Sequence, residues 1–415
     1  MTNKHYDICV IGAGPAGLMA AGIAAQNGAS VVLIEKNKQP GKKLLLTGKG
    51  RCNITRDEQD LSEFTTAFGK NGKFLYPALK VFSIEDTINF FASLSLETKT
   101  ERGQRVFPIS DKATDVLKVL QAFLRKNRVE VLRESPVVKL TKNGQTVEKV
   151  NLVSGTIKAD KYIIATGGVS YPETGSRGDG FRWAKHLGHT VVHPYPALMS
   201  IITKEDWVKD LQGLSLKNVS ISIYQNNRKQ DERFGEALFT HEGMSGPIIL
   251  DMSKNIAQLL KQGTVELKID LKPALDYPKL DLRLQRDFKT KSNKMMKNCL
   301  DDLLPQKLIP VIGNLSGIEP DKKANSVTKE ERKTLLHLLK ELTVTVIATS
   351  GFNKAVITTG GVSLKEIDPR TMKSKLIDNL YFAGEIIDLD GPTGGYNLQL
   401  CWSTGYLAAK SAASA

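Results

Sequence analysis

The sequence predicts an α/β fold whose principal domain is assembled from both ends of the chain, around an inserted β-rich module and a small helical module. Three observations predict it. Residues 6–35, YDICVIGAGPAGLMAAGIAAQNGASVVLIE, read as strand, glycine turn, helix and strand. From about Pro194 the texture changes to short alternating strands, then to a basic stretch with apolar residues at helical spacing. The C-terminal part returns to the glycine-rich α/β character of the start. The expected division is a discontinuous Rossmann-like domain of residues 1–194 and 353–415, a β-rich domain of 195–275 and 336–352, and a helical domain of 276–335.

Tyr6 to Ile11 is a short apolar run suited to a strand buried on both faces. Gly12, Gly14 and Gly17 then fill a G-x-G-x-x-G turn. The first glycine permits the bend, the second lets backbone approach a phosphate, and the third lets helix pack on strand. Pro15 suits the first helical turn, and the open helix N-terminus suits phosphate oxygens. Val31 to Ile34 form the second strand. It ends at Glu35, eighteen residues past Gly17, close to the spacing of about twenty at which an acid meets a ribose. This context points to a dinucleotide pyrophosphate rather than to a bare βαβ turn.

Lys36 to Pro40 is a polar link, followed by GKKLLLTGKGRCNIT from Gly41 to Thr55. Three glycines and four basic residues in this loop offer backbone donors and fixed cations, which suit a second phosphate or an electron-rich ring. Ser83 or Asp86 can cap a helix running to Leu94, and Ser110 or Asp111 one running to Leu124. Val129–Leu140 and Thr146–Val153 alternate like antiparallel strands around an Asn143-Gly144 turn. Lys161 to Ala165 reads as a buried strand ending in Thr166-Gly167-Gly168.

In the insertion, strands are expected near Leu198–Thr203, Val219–Tyr224 and Val265–Leu271, with a polar turn at Gln225-Asn226-Asn227. Tyr277 to Thr334 is helical and basic, and Leu342–Ala348 is another strand. Leu380 to Glu385 is a strand that ends in a glycine and an acid. Gly391-Pro392-Thr393-Gly394-Gly395-Tyr396-Asn397 follows, leading into a helix through Leu407. Glu385 is placed to bond ribityl hydroxyls. The N–H groups of a helix starting near Gly395 would stabilise negative charge on a reduced flavin ring.

Composition narrows the class. A hydrophobic content of 41% and a charged content of 25% fit a soluble globular protein of two or three domains. Cys9, Cys52, Cys299 and Cys401 are far apart and include no C-x-x-C, which argues against a disulfide framework, a metal site and a dithiol pair. No apolar run approaches the roughly eighteen residues of a membrane span, and no targeting segment is visible, so a cytoplasmic location is expected. The net charge of +14 attracts anions generally. No nucleic-acid motif and no basic run with stacking aromatics accompanies it, so nucleic acid is disfavoured as a partner.

Seven motifs together carry a family resemblance: IGAGPAGLMAA, GKKLLLTGKGRCNIT, RVFPIS from Arg105, IIATGG from Ile163, FTHEGMSGP from Phe239, TTGGVSLKEID from Thr358, and LYFAGEIIDLDGPTGGYNLQ from Leu380. The chain resembles the bacterial NAD(P)/FAD-dependent oxidoreductase family of flavoproteins, with relatives such as aminoacetone oxidase and the flavin reductase of bile-acid dehydroxylation. The resemblance implies FAD as the tightly held dinucleotide. It places Gly12, Gly14, Pro15, Ala16 and Gly17 along the pyrophosphate, Glu35 and Lys36 by the adenosine ribose, and Val137 at adenine. Lys42, Lys43, Gly48, Arg51, Cys52 and Asn53 would face the phosphates or the isoalloxazine. Ala165, Thr166 and Gly167 would line the middle of the cofactor, Gly384 and Glu385 the ribityl chain, and Gly395, Tyr396, Asn397 and Leu398 the ring. The chain departs from the family pattern at Arg56, where relatives often have Asn, and at Arg177, where they often have Thr.

The implied function is an FAD-dependent oxidoreductase moving hydride between a small organic substrate, such as an amine, and flavin N5, with reoxidation by oxygen or another acceptor. The alternatives are an NAD(P)H-dependent flavin or ene-type reductase and, in another class, an RNA-binding or RNA-modifying flavoprotein. TTGGVS lacks the spacing of a second G-x-G-x-x-G, so a dedicated NAD(P)H domain is not expected, while transient nicotinamide binding stays open. No catalytic base stands out. His241 is the best-placed titratable residue, but a bond within its own loop is the favoured role. For Cys52 and Tyr396, packing competes with a place beside the flavin.

Overall fold

The apolar start of the chain forms strand β1 (His5–Ile11), buried without a break from Ile8 to Ile11. Helix α1 (Pro15–Gln26) and strand β2 (Val31–Ile34) follow, and β2 pairs parallel with β1. The structure is a computed structural model describing residues 4–414. The chain divides into two compact units. One holds the residues up to Ala197 together with those from Phe352 onward, and the other is Leu198–Gly351.

In the first unit, β3 (Thr55–Arg56), β4 (Thr98–Glu101) and β5 (Arg105–Pro108) form a small antiparallel sheet in the order β3-β5-β4. The main sheet adds β6 (Glu130–Leu132), β7 (Val137–Asn143), β8 (Thr146–Leu152) and β9 (Gly155–Ile164), in the order β6-β2-β1-β9-β8-β7. The C-terminal strand Leu380–Phe382 joins this sheet parallel to β9, with Leu380 opposite Tyr162 and Phe382 opposite Ile164. The final helix, Tyr396–Ser414, lies on α1 so closely that a Cβ on Gly405 would sit 2.5 Å from Ala16 O. The two ends of the chain thus complete one discontinuous Rossmann-type layer structure around one apolar core.

Two local expectations need correction. The run Val129–Leu140 is not one strand. It breaks between β6 and β7 because Glu134 takes a left-handed φ of 52° and Pro136 follows. The freed backbone N–H groups of Glu134 and Ser135 turn to the carbonyls of Asn37 and Glu35. Ser83 caps its helix in a reciprocal box with Asp86, but neither Ser110 nor Asp111 caps the helix Ala113–Lys126, whose first turn follows Lys112 without a side-chain cap.

The second unit is a closed six-stranded barrel. Its strands run in the order Ile201–Thr203, Gly243–Ser245, Arg228–Phe239, Ser215–Gln225, Val265–Asp270 and Leu342–Thr349. Helices Pro247–Leu259, Tyr277–Thr290, Ile309–Ser316 and Lys329–Lys340 share its core, where Leu280, Leu284, Leu335 and Leu339 join Ile221 and Leu267. Asn226 and Asn227 both take positive φ, 50° and 60°, as a tight hairpin turn requires.

Candidate active site

The glycine turn is built by steric necessity. Gly12 has φ +100°, and a Cβ there would meet Ala165 O at 2.7 Å; one on Gly17 would meet Gly12 O at 1.8 Å. Gly14 is different: its φ of −78° suits any residue, and a Cβ there would meet nothing within 4 Å. It fronts open space. Pro15 occupies the first helical turn and no side chain caps α1, so the first-turn N–H groups are left facing that space.

The space is a cavity of about 330 Å³ lined entirely by the first unit. The structure brings Gly12, Gly14, Pro15, Ala16, Glu35, Lys36, Lys42, Lys43, Val137, Ala165, Thr166, Gly167, Gly384 and Glu385 to its walls. Residues that follow the N-terminal strands and residues that follow the C-terminal strand therefore line one cavity, and a Cβ on Gly384 would lie 2.7 Å from Ala16 Cβ. Glu35 is buried, and its carboxylate accepts from Ala13 N at 2.9 Å and from Asn37 N and Nδ2 at 2.8 Å each. Lys43 Nζ donates to Ser170 Oγ at 2.7 Å and Glu385 Oε2 at 2.8 Å, while Lys42 Nζ donates to Glu173 O at 2.7 Å. Glu385 Oε1 accepts from Thr358 N at 2.6 Å and Ser170 Oγ at 3.1 Å.

Sequence reasoning missed one wall. Thr174, Gly175, Ser176, Arg177, Asp179 and Arg182 line the cavity, and the only signal was the glycine-rich TGSRGDG turn. There Asp179 accepts from Lys36 and from Arg182. Burial pushes its pKa up, but these hydrogen bonds outweigh burial and hold it below the ordinary aspartate value. Cys401 also lines the cavity, and burial pushes its thiol up to about 12, so it stays protonated.

Other expected site residues lie outside this lining. Gly17 sits beneath the turn. Arg51 is placed elsewhere: Asp111 and Glu101 hold its guanidinium, and it lies 4.0 Å from the centre of the Phe107 ring. Two carboxylates anchor it more firmly than an open cavity can. Cys52 is buried and its thiol is raised to about 12, which removes it as a nucleophile. Gly48 takes φ +58° against Asn53 N, and Asn53 Oδ1 is buried with no hydrogen-bond partner. Gly395 takes φ +108° with Thr55 directly against it. The Asn397 amide is tied to Gly391 and Pro392 of its own turn. Leu398 packs on the core, and Tyr396 packs on Phe64 with ring centres 4.7 Å apart. His241, in the second unit, is exposed, with Nε2 3.5 Å from Oε1 of its neighbour Glu242.

The donor set fits a dinucleotide: an uncapped helix start, a glycine with room where a Cβ would project, lysines on the wall and a buried acid at the end of β2. Thr166 also lines the cavity, and its Oγ1 is buried with no hydrogen-bond partner, close against Gly180.

Comparison with known proteins agrees. The family model described as HI0933-like protein Rossmann domain matches residues 6–411. The chain is 33% identical to the 3-dehydro-bile acid delta(4,6)-reductase of Clostridium scindens over 98% of each protein. It is 30% identical to the ribosomal RNA dihydrouridine synthase of Escherichia coli, again over 98% of each. In fold it is similar to the 3-ketosteroid-delta4-(5alpha)-dehydrogenase of Rhodococcus jostii RHA1, with a TM-score of 0.55, 15% identity, and coverage of 99% of this chain and 97% of that one. The open conformation of a flavocytochrome c3 fumarate reductase gives 0.54 at 17% identity, covering 99% of this chain and 78% of that one. The chain belongs to the HI0933-like Rossmann-domain family, and it is an FAD-dependent oxidoreductase.

Proposed function

We propose that the protein reduces a carbon–carbon double bond conjugated to a carbonyl group. The observation that carries this reading is a bond change shared by the names of two full-length relatives. A delta(4,6)-reductase of a 3-oxo steroid and a dihydrouridine synthase both saturate such a bond, in a steroid ring and in uracil respectively. Amine oxidation ranks below it, because neither of these relatives is named for amine chemistry. When bound, FAD supplies two-electron redox chemistry at its isoalloxazine ring.

The chain's own part is positioning and electrostatics. On this reading Gly12, Gly14, Pro15 and Ala16 hold the pyrophosphate, with Lys42 and Lys43 as nearby cations. Glu35, Lys36 and Val137 border the adenosine. Ala165, Thr166 and Gly167 border the middle of the cofactor, and Gly384 and Glu385 the ribityl chain. Gly395 to Leu398, with Asn53, border the ring. Ribosomal RNA as the substrate is the second reading, favoured by the net charge of +14.

The test is anaerobic. Holoenzyme reduced with dithionite should be reoxidised by a steroid 4-en-3-one or by uridine-containing RNA, with the saturated product recovered. Inertness toward both, combined with bleaching of the oxidised enzyme by amines, would reject the proposal. NAD(P)H is tested separately as the source of the reducing electrons.

A further inference from the structure

Arg56 on β3 and Arg105 on β5 stand directly opposite each other in the small antiparallel sheet. Like charges in that relation repel, so the arrangement calls for compensation. Among the described residues neither guanidinium forms an ion pair with a carboxylate. Arg56 Nη1 donates to Gly103 O at 2.8 Å, and Arg105 Nε donates to Arg102 O at 3.0 Å. The carboxylates close by are committed elsewhere. Asp57 accepts from Gln59 and Thr100, while Glu101 and Asp111 are held by Arg51 and Lys99.

Arg56 carries a second sign. Its Nε is buried with no hydrogen-bond partner, while its guanidinium lies 5.3 Å from the centre of the Tyr396 ring. A buried donor left idle beside a like charge is unfavourable on both counts. An oxyanion received there would satisfy the idle N–H and screen the repulsion, and guanidinium is the side chain best shaped to hold one. The place is specific. A Cβ on Gly395 would lie 2.7 Å from Arg56 N, and one on Gly394 would lie 3.7 Å from Arg56 Nη1. Arg56, with Arg105 opposite it on the neighbouring strand, therefore adjoins the glycine turn that opens the final helix.

We propose that Arg56 and Arg105 form a docking site for an oxyanion carried by the substrate, a carboxylate or a phosphodiester, beside the flavin ring. This rests on the reading that the ring lies at Gly395–Leu398.

The experiment uses FAD-loaded full-length protein and two pairs of probes. One is 3-oxochol-4-enoate with its uncharged methyl ester; the other is tetrauridylate with its uncharged methylphosphonate analogue. Binding is followed by the flavin difference spectrum and, independently, by calorimetry. In at least one pair the anionic member should bind at least about tenfold more tightly, and Arg56→Gln and Arg105→Gln should each erase most of that preference. The pair that responds identifies which source supplies the oxyanion. No preference in the wild type, or a preference that survives both substitutions, overturns the proposal. So does loss of FAD from Arg56→Gln, which would assign the guanidinium to the cofactor. If calorimetry shows the preference and its loss while the flavin spectrum stays silent, the docking site stands and the placement of the ring falls.

Discussion

Lys43 and Glu385, 342 positions apart in sequence, meet as an ion pair with Nζ and Oε2 2.8 Å apart. The pair ties the basic loop after β2 to the turn that follows the C-terminal strand Leu380–Phe382, and Ser170 bonds both partners. The two side chains are only 20% and 16% exposed, so the charges are partly desolvated and each depends on the other. Removing one partner costs more than the intact pair contributes, because a buried charge is left behind.

Lys43→Met should therefore lower stability by roughly 1–3 kcal/mol, discounted from a fully buried pair for partial exposure. Thermal unfolding with and without added FAD checks this. Glu385→Gln in the Lys43→Met background should restore much of the loss, because it removes the uncompensated charge.

Gly14 and Gly17 should behave in opposite ways. Gly17→Ala drives a Cβ to within 1.8 Å of Gly12 O and should prevent the turn from forming, giving insoluble or FAD-free protein. Gly14→Ala meets no protein atom within 4 Å. The variant should fold with apoprotein stability within about 0.5 kcal/mol of wild type, while binding FAD at least about tenfold more weakly. Soluble expression, unfolding curves and FAD titration separate the two effects.

Glu35 holds the glycine turn as well as bordering the cavity, since its carboxylate accepts from the N–H groups of Ala13 and Asn37. Glu35→Ala leaves both donors without this acceptor and should cost about 2–4 kcal/mol even in the apoprotein. Glu35→Gln keeps an acceptor oxygen and should lose less. Denaturant unfolding of FAD-free protein checks the order of the three.

Asp179 gives a pH dependence. Its folded pKa is depressed below the ordinary 3.8 because hydrogen bonds from Lys36 and Arg182 outweigh burial. A depressed carboxyl contributes stability that is fully present above its unfolded pKa and is lost as pH falls through the folded value. Asp179→Asn should thus be less stable than wild type at neutral pH, and the difference should shrink below about pH 3.8. Tm measured for both proteins across the acid range checks the sign.

The elements legible in the sequence were those whose signal is local. The β1–α1–β2 unit announces itself because glycine spacing, strand and closing acid lie within one stretch, and strand Leu380–Phe382 does so for the same reason, though it stops short of the expected Glu385 because Gly384 turns the chain at φ 77°. The pairing of Arg51 with Glu101 and Asp111 is not legible, because those carboxylates lie 50 and 60 positions away and no local pattern reports it. Strand Arg228–Phe239 carries no such local signal, because its first residues, RKQDERF, are mostly exposed and charged and leave no apolar alternation to read. The cavity wall from Thr174 to Arg182 is a loop and a helix start, and its contribution depends on the sheet that presents it.

The most direct test of a cavity closed by both ends of the chain is the equilibrium affinity of the apoprotein for FAD in Glu385→Ala, set against wild type. The expected result is a correctly folded variant with binding weakened at least about tenfold. Unchanged affinity in folded protein would contradict it, because the Glu385 carboxylate, which the C-terminal segment brings to the cavity, would then take no part in holding the cofactor.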